Sequence, residues 1–162
     1  MKKLIGLLVI SLALFVGCGG GSDTGNNNAA SAEKESSGLT EFEQKNGIGP
    51  VTEEIQLSSN IDKQLAKDGE ALFETKCSAC HKLDERYVGP SQRDLLDSRS
   101  PEYVMNMILN PAEMIKKHPE AKKMLQEFMT PMPNQNLSRE EARSILEYFR
   151  YMNKHKDQME IQ

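Results

Sequence analysis

This 162-residue sequence has no segment in which apolar and polar residues alternate over the length of a strand. Strict alternation is the pattern of a half-buried β-strand, whereas the apolar residues here recur every three to four positions, as in amphipathic helices. We therefore predict an all-α fold. The apolar run at residues 4–16 is shorter than the roughly 20 residues that a membrane-spanning helix needs.

An excess of positive charge is also absent. The formal net charge is −4, and removal of residues 1–17 would take away Lys2 and Lys3 and leave −6. Nucleic-acid binding depends on basic patches that face the phosphates, so we exclude this class of partner. Two basic pairs, Lys116-Lys117 and Lys122-Lys123, are interpreted as a solvated helix face, with a docking patch for an acidic partner as the alternative.

Cysteine is scarce as well, since the chain has only Cys18, Cys77 and Cys80. The latter two belong to the pentapeptide Cys77-Ser78-Ala79-Cys80-His81, and C-x-x-C-H is the attachment signature of c-type haem. Two thiols at this spacing share one face of a helical turn, and the imidazole that follows lies where it can bind the iron. A thiol–disulfide pair would need a βαβ context and a zinc site would need further ligands; the sequence has neither pattern.

Residues 1–17 have the form of an export signal. Lys2 and Lys3 precede the apolar run, and the stretch 14–18 resembles the lipobox of bacterial lipoproteins, although Phe15 stands where that pattern prefers leucine. We predict that residues 1–17 are a lipoprotein signal peptide and that Cys18 is the acylated N-terminus. A free exposed thiol would be a liability in an oxidising compartment. The alternative is an ordinary signal peptide with an incidental cysteine.

Composition divides the remainder of the chain into four parts. Residues 18–38, which have no apolar side chain larger than alanine after the cysteine, are predicted to be a disordered tether. Residues 39–59 contain a helix-breaking Gly-Pro pair and are predicted to be a partly ordered N-terminal extension. A compact domain of about one hundred residues, enough for one small core, is predicted over 60–156. Residues 157–162 are expected to be a C-terminal tail.

Four to five helices are predicted in the compact domain. Ser59 or Asn60 is expected to cap the first helix, in which Gly69 falls on the apolar face. A glycine there indicates the close approach of another helix. Three further helices are predicted from serine caps, first-turn prolines and amphipathic spacing, over residues 100–110, 119–128 and 138–152.

From about Asp62 to Met152 the sequence resembles a class I monohaem cytochrome c of the lipoprotein-anchored bacterial type. The resemblance rests on the haem motif and on residues that match the family in order: Gly69, Phe73, Gly89-Pro90, Met132 and Tyr148. It implies a small cytochrome c fold of four to five helices around one haem c, bound covalently through Cys77 and Cys80. It does not extend to residues 1–58.

The resemblance also implies the axial ligands. His81 is the expected proximal ligand, with the Pro90 carbonyl accepting a hydrogen bond from its ring, and Met132 is the expected distal ligand. Met129 is the alternative, but prolines stiffen the loop on both sides of Met132, which favours the latter. The two other histidines lie among lysines and are expected to be solvated: His118 and His155.

A haem with both axial positions filled by protein leaves no place for a substrate, so the resemblance implies an electron carrier and not an enzyme. The expected location is the periplasmic side of a bacterial cell envelope, with a lipid anchor in the membrane, and the expected state is a monomer. The expected partners are respiratory redox proteins: a quinol-oxidising complex as donor, and a terminal oxidase, nitrous-oxide reductase or peroxidase as acceptor. Two alternatives stay open, a haem enzyme or gas or peroxide sensor with an open distal site, and a fixed haem subunit of a respiratory complex.

Overall fold

A computed structural model describes residues 38–161. Its regular elements are seven α-helices: α1 Glu41–Asn46, α2 Lys63–Lys76, α3 Leu95–Ser98, α4 Pro101–Leu109, α5 Pro111–Lys117, α6 Pro119–Phe128 and α7 Arg139–Lys154. This range contains no strand, which confirms the all-α prediction, and the short helices α1, α3 and α5 raise the count above the four to five expected. No helix within it is both long and apolar enough to cross a bilayer. The predicted signal peptide, Cys18 and nearly all of the tether lie outside the described residues.

The cap of α2 differs from the prediction. Asp62, and not Ser59 or Asn60, is the N-cap, because its carboxylate accepts hydrogen bonds from the backbone N–H groups of Gln64 and Leu65 at 3.0 Å each. These two groups have no partner within the helix, so a carboxylate that reaches both stabilises the start of α2. The predicted starts of α4, α6 and α7 are confirmed by caps at Ser100, His118 and Ser138.

Helices α2 and α7 cross at the centre of the core. Gly69 is buried at the crossing, where an added Cβ would lie 2.5 Å from the carbonyl carbon of Ser144 and 2.9 Å from the backbone nitrogen of Ile145. The predicted close approach of a helix at Gly69 is thus confirmed. Phe73 packs one turn further along, with its ring edge-on to Phe149 at a centroid distance of 5.7 Å. The crossing fixes the end of α2, and therefore the position of Cys77.

A helix was missed between α4 and α6. The sequence indicates that Asn110-Pro111 ends α4, and this is confirmed, but Pro111 is also the first residue of α5. Proline is favoured at that position because the missing N–H would have no partner in the first turn, and its fixed φ suits a helix. The chain therefore turns and continues as a helix where the sequence indicated only an end.

Residues before α2 pack against the body of the fold. Val51 is fully buried, and Ile55 and Leu57 pack against the same core cluster. The side chain of Asn106, also fully buried, accepts a hydrogen bond from Val51 N–H at 3.0 Å and donates to the carbonyls of Val51 and Asn46 at 2.9 and 3.0 Å. One amide thus satisfies three buried backbone groups that have no helical partner.

The expectation that both remaining histidines are solvated is wrong for His118, which is 2% exposed. Its Nε2 lies 3.1 Å from the carbonyl oxygen of Gln44, and its Nδ1 accepts the backbone N–H of Glu120 at 3.2 Å. Both ring nitrogens are engaged, because His118 caps α6 and joins it to α1. His155 is half-buried and stacks on Tyr151 at a centroid distance of 4.2 Å.

Candidate functional site

A cavity of about 330 Å³ lies among α2, α4, α6 and α7. Each of these helices contributes apolar side chains to its wall, for example Phe73, Val104, Leu125 and Ile145. The haem motif and the loop between α6 and α7 complete the wall. An apolar cavity of this kind suits an apolar group that makes few polar contacts.

The end of α2 brings the haem motif to the wall. Cys77 is the C-cap residue, and the N–H groups of Cys80 and His81 both donate to its carbonyl, at 3.0 and 2.9 Å. One further turn of chain therefore places Cys77, Cys80 and His81 on the lining together. Burial, with a smaller contribution from the neighbouring Cys80, raises the pKa of the Cys77 thiol to about 11. A thiol–disulfide redox pair needs a thiolate of lowered pKa, so this environment disfavours that alternative.

The ring of His81 is held from behind by the turn at Gly89-Pro90. Nδ1 of His81 lies 3.0 Å from the carbonyl oxygen of Pro90, and the turn is fastened by a hydrogen bond from Gly89 N–H to the Cys80 carbonyl at 2.8 Å. A Cβ at Gly89 would come within 2.5 Å of Cε1 of the imidazole. Only glycine leaves room for the ring, so this turn fixes the orientation of the imidazole.

The two candidate methionines lie in different surroundings. Met129 ends α6 in the left-handed conformation, with φ 54°, and is 81% exposed. Met132, three residues later, is half-buried, packs against the core and lines the cavity. One cavity is therefore lined by Cys77, Cys80, His81, Pro90 and Met132, whereas Met129 does not line it.

The cavity lining also includes Tyr103 and Arg99, which the sequence did not indicate as site residues. Tyr103 is 3% exposed, and its hydroxyl is buried without a hydrogen-bond partner among residues 38–161. Burial raises the pKa of Tyr103, so the hydroxyl keeps its proton and is able to donate it in a hydrogen bond. The guanidinium of Arg99, which also lines the cavity, lies over the Tyr103 ring at 5.1 Å. In the sequence, Tyr103 is one more apolar position of α4, and nothing local marks it as part of a site.

These residues fit a haem. The cavity is apolar, two cysteine side chains line it at the attachment spacing, and a fixed imidazole and a thioether line it as well. The guanidinium of Arg99, which lines the cavity and also contacts the Glu120 carboxylate at 3.2 Å, would suit a carboxylate of the haem.

A small all-α shell around an apolar cavity, with C-x-x-C-H on its wall, is the arrangement of a c-type haem protein. The sequence profile of the family described as Cytochrome c matches residues 66–153, more than half of the chain. The chain belongs to the cytochrome c family, and its haem c is covalently bound through the cysteine pair Cys77 and Cys80.

Solved structures agree with this assignment. The cytochrome c from Rhodothermus marinus is 47% identical, with a TM-score of 0.67, and the match covers 70% of this chain and 97% of that one. An engineered form of the Rhodothermus marinus protein, bound to a carbene intermediate, is 46% identical with a TM-score of 0.63, over 69% and 96% of the two chains. Cytochrome c-551 of Stutzerimonas stutzeri is 53% identical over 32 residues, which are 19% of this chain and 31% of that protein.

Proteins of the cytochrome c family are typically haem-based electron carriers that work with redox partners, and their bacterial members are typically extracytoplasmic. The carbene intermediate belongs to an engineered relative and describes that protein.

Proposed function

We propose that this protein is a membrane-tethered electron carrier whose haem iron has His81 and Met132 as axial ligands. The observation that carries the proposal is that the half-buried Met132 lines the same cavity as the haem motif, while Met129 is exposed. With both axial positions taken by side chains, the site has no place for a substrate.

In this proposal, His81, Met132 and the other residues that line the cavity each have a role in holding the haem. The haem supplies one-electron chemistry when it is bound. His81 would offer Nε2 to the iron while its Nδ1–H donates to the Pro90 carbonyl, which would fix the ring and increase its basicity. The Met132 thioether favours ferrous iron relative to a second imidazole. Arg99, which lines the cavity, would pair with a carboxylate of the haem. The apolar helices around the cavity would keep water away from the iron, which reduces the solvent rearrangement that accompanies its change of charge.

The partners in the proposal are redox proteins of a respiratory chain. A quinol-oxidising complex is the donor, and a terminal oxidase, nitrous-oxide reductase or peroxidase is the acceptor. The exposed Tyr87 and Val88 lie beside the motif, at the turn that holds His81, and would form part of the contact surface. A fixed subunit of a respiratory complex would differ by co-purifying with that complex.

The ligand assignment is tested by substitution of each methionine. We expect Met132→Ala to abolish the near-infrared iron–methionine charge-transfer band, to lower the reduction potential and to let carbon monoxide bind the reduced protein. Met129→Ala is the matched control, because it removes the same kind of side chain from an exposed position three residues before Met132. This variant should keep the band. Loss of the band in the control alone would make Met129 the ligand. Absence of the band from the unsubstituted protein would favour an enzyme or sensor with an open distal site.

The membrane tether is a separate part of the proposal. It is supported by the lipobox-like residues 14–18 and by the low-complexity segment that follows Cys18. We expect Cys18→Ser to shift the protein from the detergent phase to the aqueous phase, and mass spectrometry to find acyl chains on Cys18 of the unsubstituted protein. Ser22→Ala, four residues on, is the control and should leave both unchanged. An unmodified mature Cys18 would contradict the anchor while leaving the electron-carrier proposal intact.

A further inference from the structure

Three polar atoms meet behind the proximal imidazole. Nδ1 of His81 lies 3.0 Å from the Pro90 carbonyl oxygen, Nε2 of Gln92 lies 2.7 Å from that oxygen, and the two nitrogens are 2.9 Å apart. Gln92 is 7% exposed. Its backbone N–H donates to the carbonyls of Lys82 and Leu83, both at 3.0 Å. The chain therefore fixes the backbone of Gln92, and burial keeps its side chain against the turn.

The three atoms do not provide enough acceptors for their hydrogens. When Nε2 of His81 binds iron, Nδ1 carries a proton and is a donor. The Gln92 NH₂ group is also a donor, so two donors share the Pro90 carbonyl. Rotating the Gln92 amide would place two oxygens 2.7 Å apart, an unfavourable contact between two acceptors, whereas 2.7 Å suits an N–H···O bond. The NH₂ group therefore faces the carbonyl.

We propose that Gln92 is a positioning residue that competes with His81 for the Pro90 carbonyl and thereby raises the reduction potential of the haem. The inference rests on the proposed ligation by His81. A hydrogen bond from Nδ1–H increases the basicity of a ligating imidazole and so stabilises ferric iron. A second donor on the same carbonyl occupies part of its acceptor capacity and weakens the bond from His81. Ferrous iron is then favoured relative to a protein in which His81 has the carbonyl to itself.

The test is Gln92→Leu in the haem-loaded full chain, since leucine fills similar space and removes the competing donor. We expect the reduction potential to shift downward and the Nδ1 proton of His81 to exchange more slowly with solvent, as measured by NMR. Gln92→Met is a second variant of similar volume, and the same two shifts in both exclude a packing effect. Ser91→Ala changes an exposed neighbour and should alter neither quantity.

An upward shift in potential with faster exchange would overturn the inference, because it would mean that the Gln92 side chain accepts a hydrogen bond from Nδ1–H of His81. If the Gln92 variants have the same reduction potential and the same Nδ1 proton exchange rate as the Ser91→Ala protein, the inference is overturned as well. The near-infrared band separates the two proposals. Its absence from the unsubstituted protein contradicts Met132 ligation, whereas proton exchange at His81 still reports whether removal of Gln92 strengthens the bond to Pro90.

Discussion

Replacement of Gly69 by alanine tests the central packing contact of the fold. An alanine Cβ at this position would lie 2.5 Å from the carbonyl carbon of Ser144 and 2.9 Å from the nitrogen of Ile145, and the Ser144 oxygen is nearer still. All three are backbone atoms of α7, so rotation of a side chain cannot relieve the contact. The helices α2 and α7 have to separate, or α2 has to bend.

Two opposing effects determine how much Gly69→Ala changes the free energy of unfolding. At an open helical position, glycine to alanine stabilises by about 1 kcal/mol, since alanine loses less backbone entropy on folding. Here the carbons have to reach an ordinary separation of about 3.5–4.0 Å, and a gap of ~1 Å between the helices forfeits a quarter to a half of each neighbouring dispersion contact. Overpacking of this kind costs about 1–3 kcal/mol. The cost lies toward the upper end of that range here, because the atoms that meet belong to the backbone. We expect a net loss of about 2 kcal/mol.

The assay is thermal and denaturant unfolding of the haem-loaded protein, followed by far-ultraviolet circular dichroism. For a domain of about one hundred residues, the expected loss lowers Tm by about 10 °C. The matched control is Ala71→Gly, which makes the reverse change at an exposed position of α2 and should cost about 1 kcal/mol by helix propensity alone. A Gly69→Ala protein as stable as the parent, or more stable, would refute the close approach of α7.

Two further changes test other contacts. Asn106→Leu should leave buried groups of Asn46 and Val51 without partners, which destabilises by about 1–3 kcal/mol for each group, and should expose residues 40–51 to limited proteolysis; an unchanged cleavage pattern would contradict the role of the amide. The paired hydrogen bonds from Arg93 lower the pKa of Asp84, so the stabilisation is present above the unfolded carboxyl pKa of about 3.9 and is lost as the pH falls through the lower folded value. Asp84→Asn should therefore flatten the acid limb of a plot of unfolding free energy against pH, and equal slopes in both proteins would show that this pair does not contribute.

Local signals were sufficient for much of the fold. The capping box at Ser138 and the Ser100-Pro101 start predict α7 and α4 correctly, because a cap acts within three or four residues along the chain. The same holds for the haem motif, whose spacing requires one helical turn to bring Cys77, Cys80 and His81 together. Where two local signals competed, the prediction failed: Pro111 ends one helix and begins the next, and the lysines beside His118 suggested solvent where the ring is buried.

By itself, then, the sequence determined the helical class, the haem attachment residues and the starts of α4, α6 and α7. The tertiary structure alone decided the surroundings of the site: the burial of the Tyr103 hydroxyl, the exposure of Met129, and the contact of Gln92 with the Pro90 turn. It also joined Val51 to Asn106, which are 55 residues apart. These features depend on which helices pack together, and a residue's polarity and near neighbours do not specify its partners across a core. Caps and attachment motifs are local chemistry, whereas burial and hydrogen-bond competition arise only when distant segments meet.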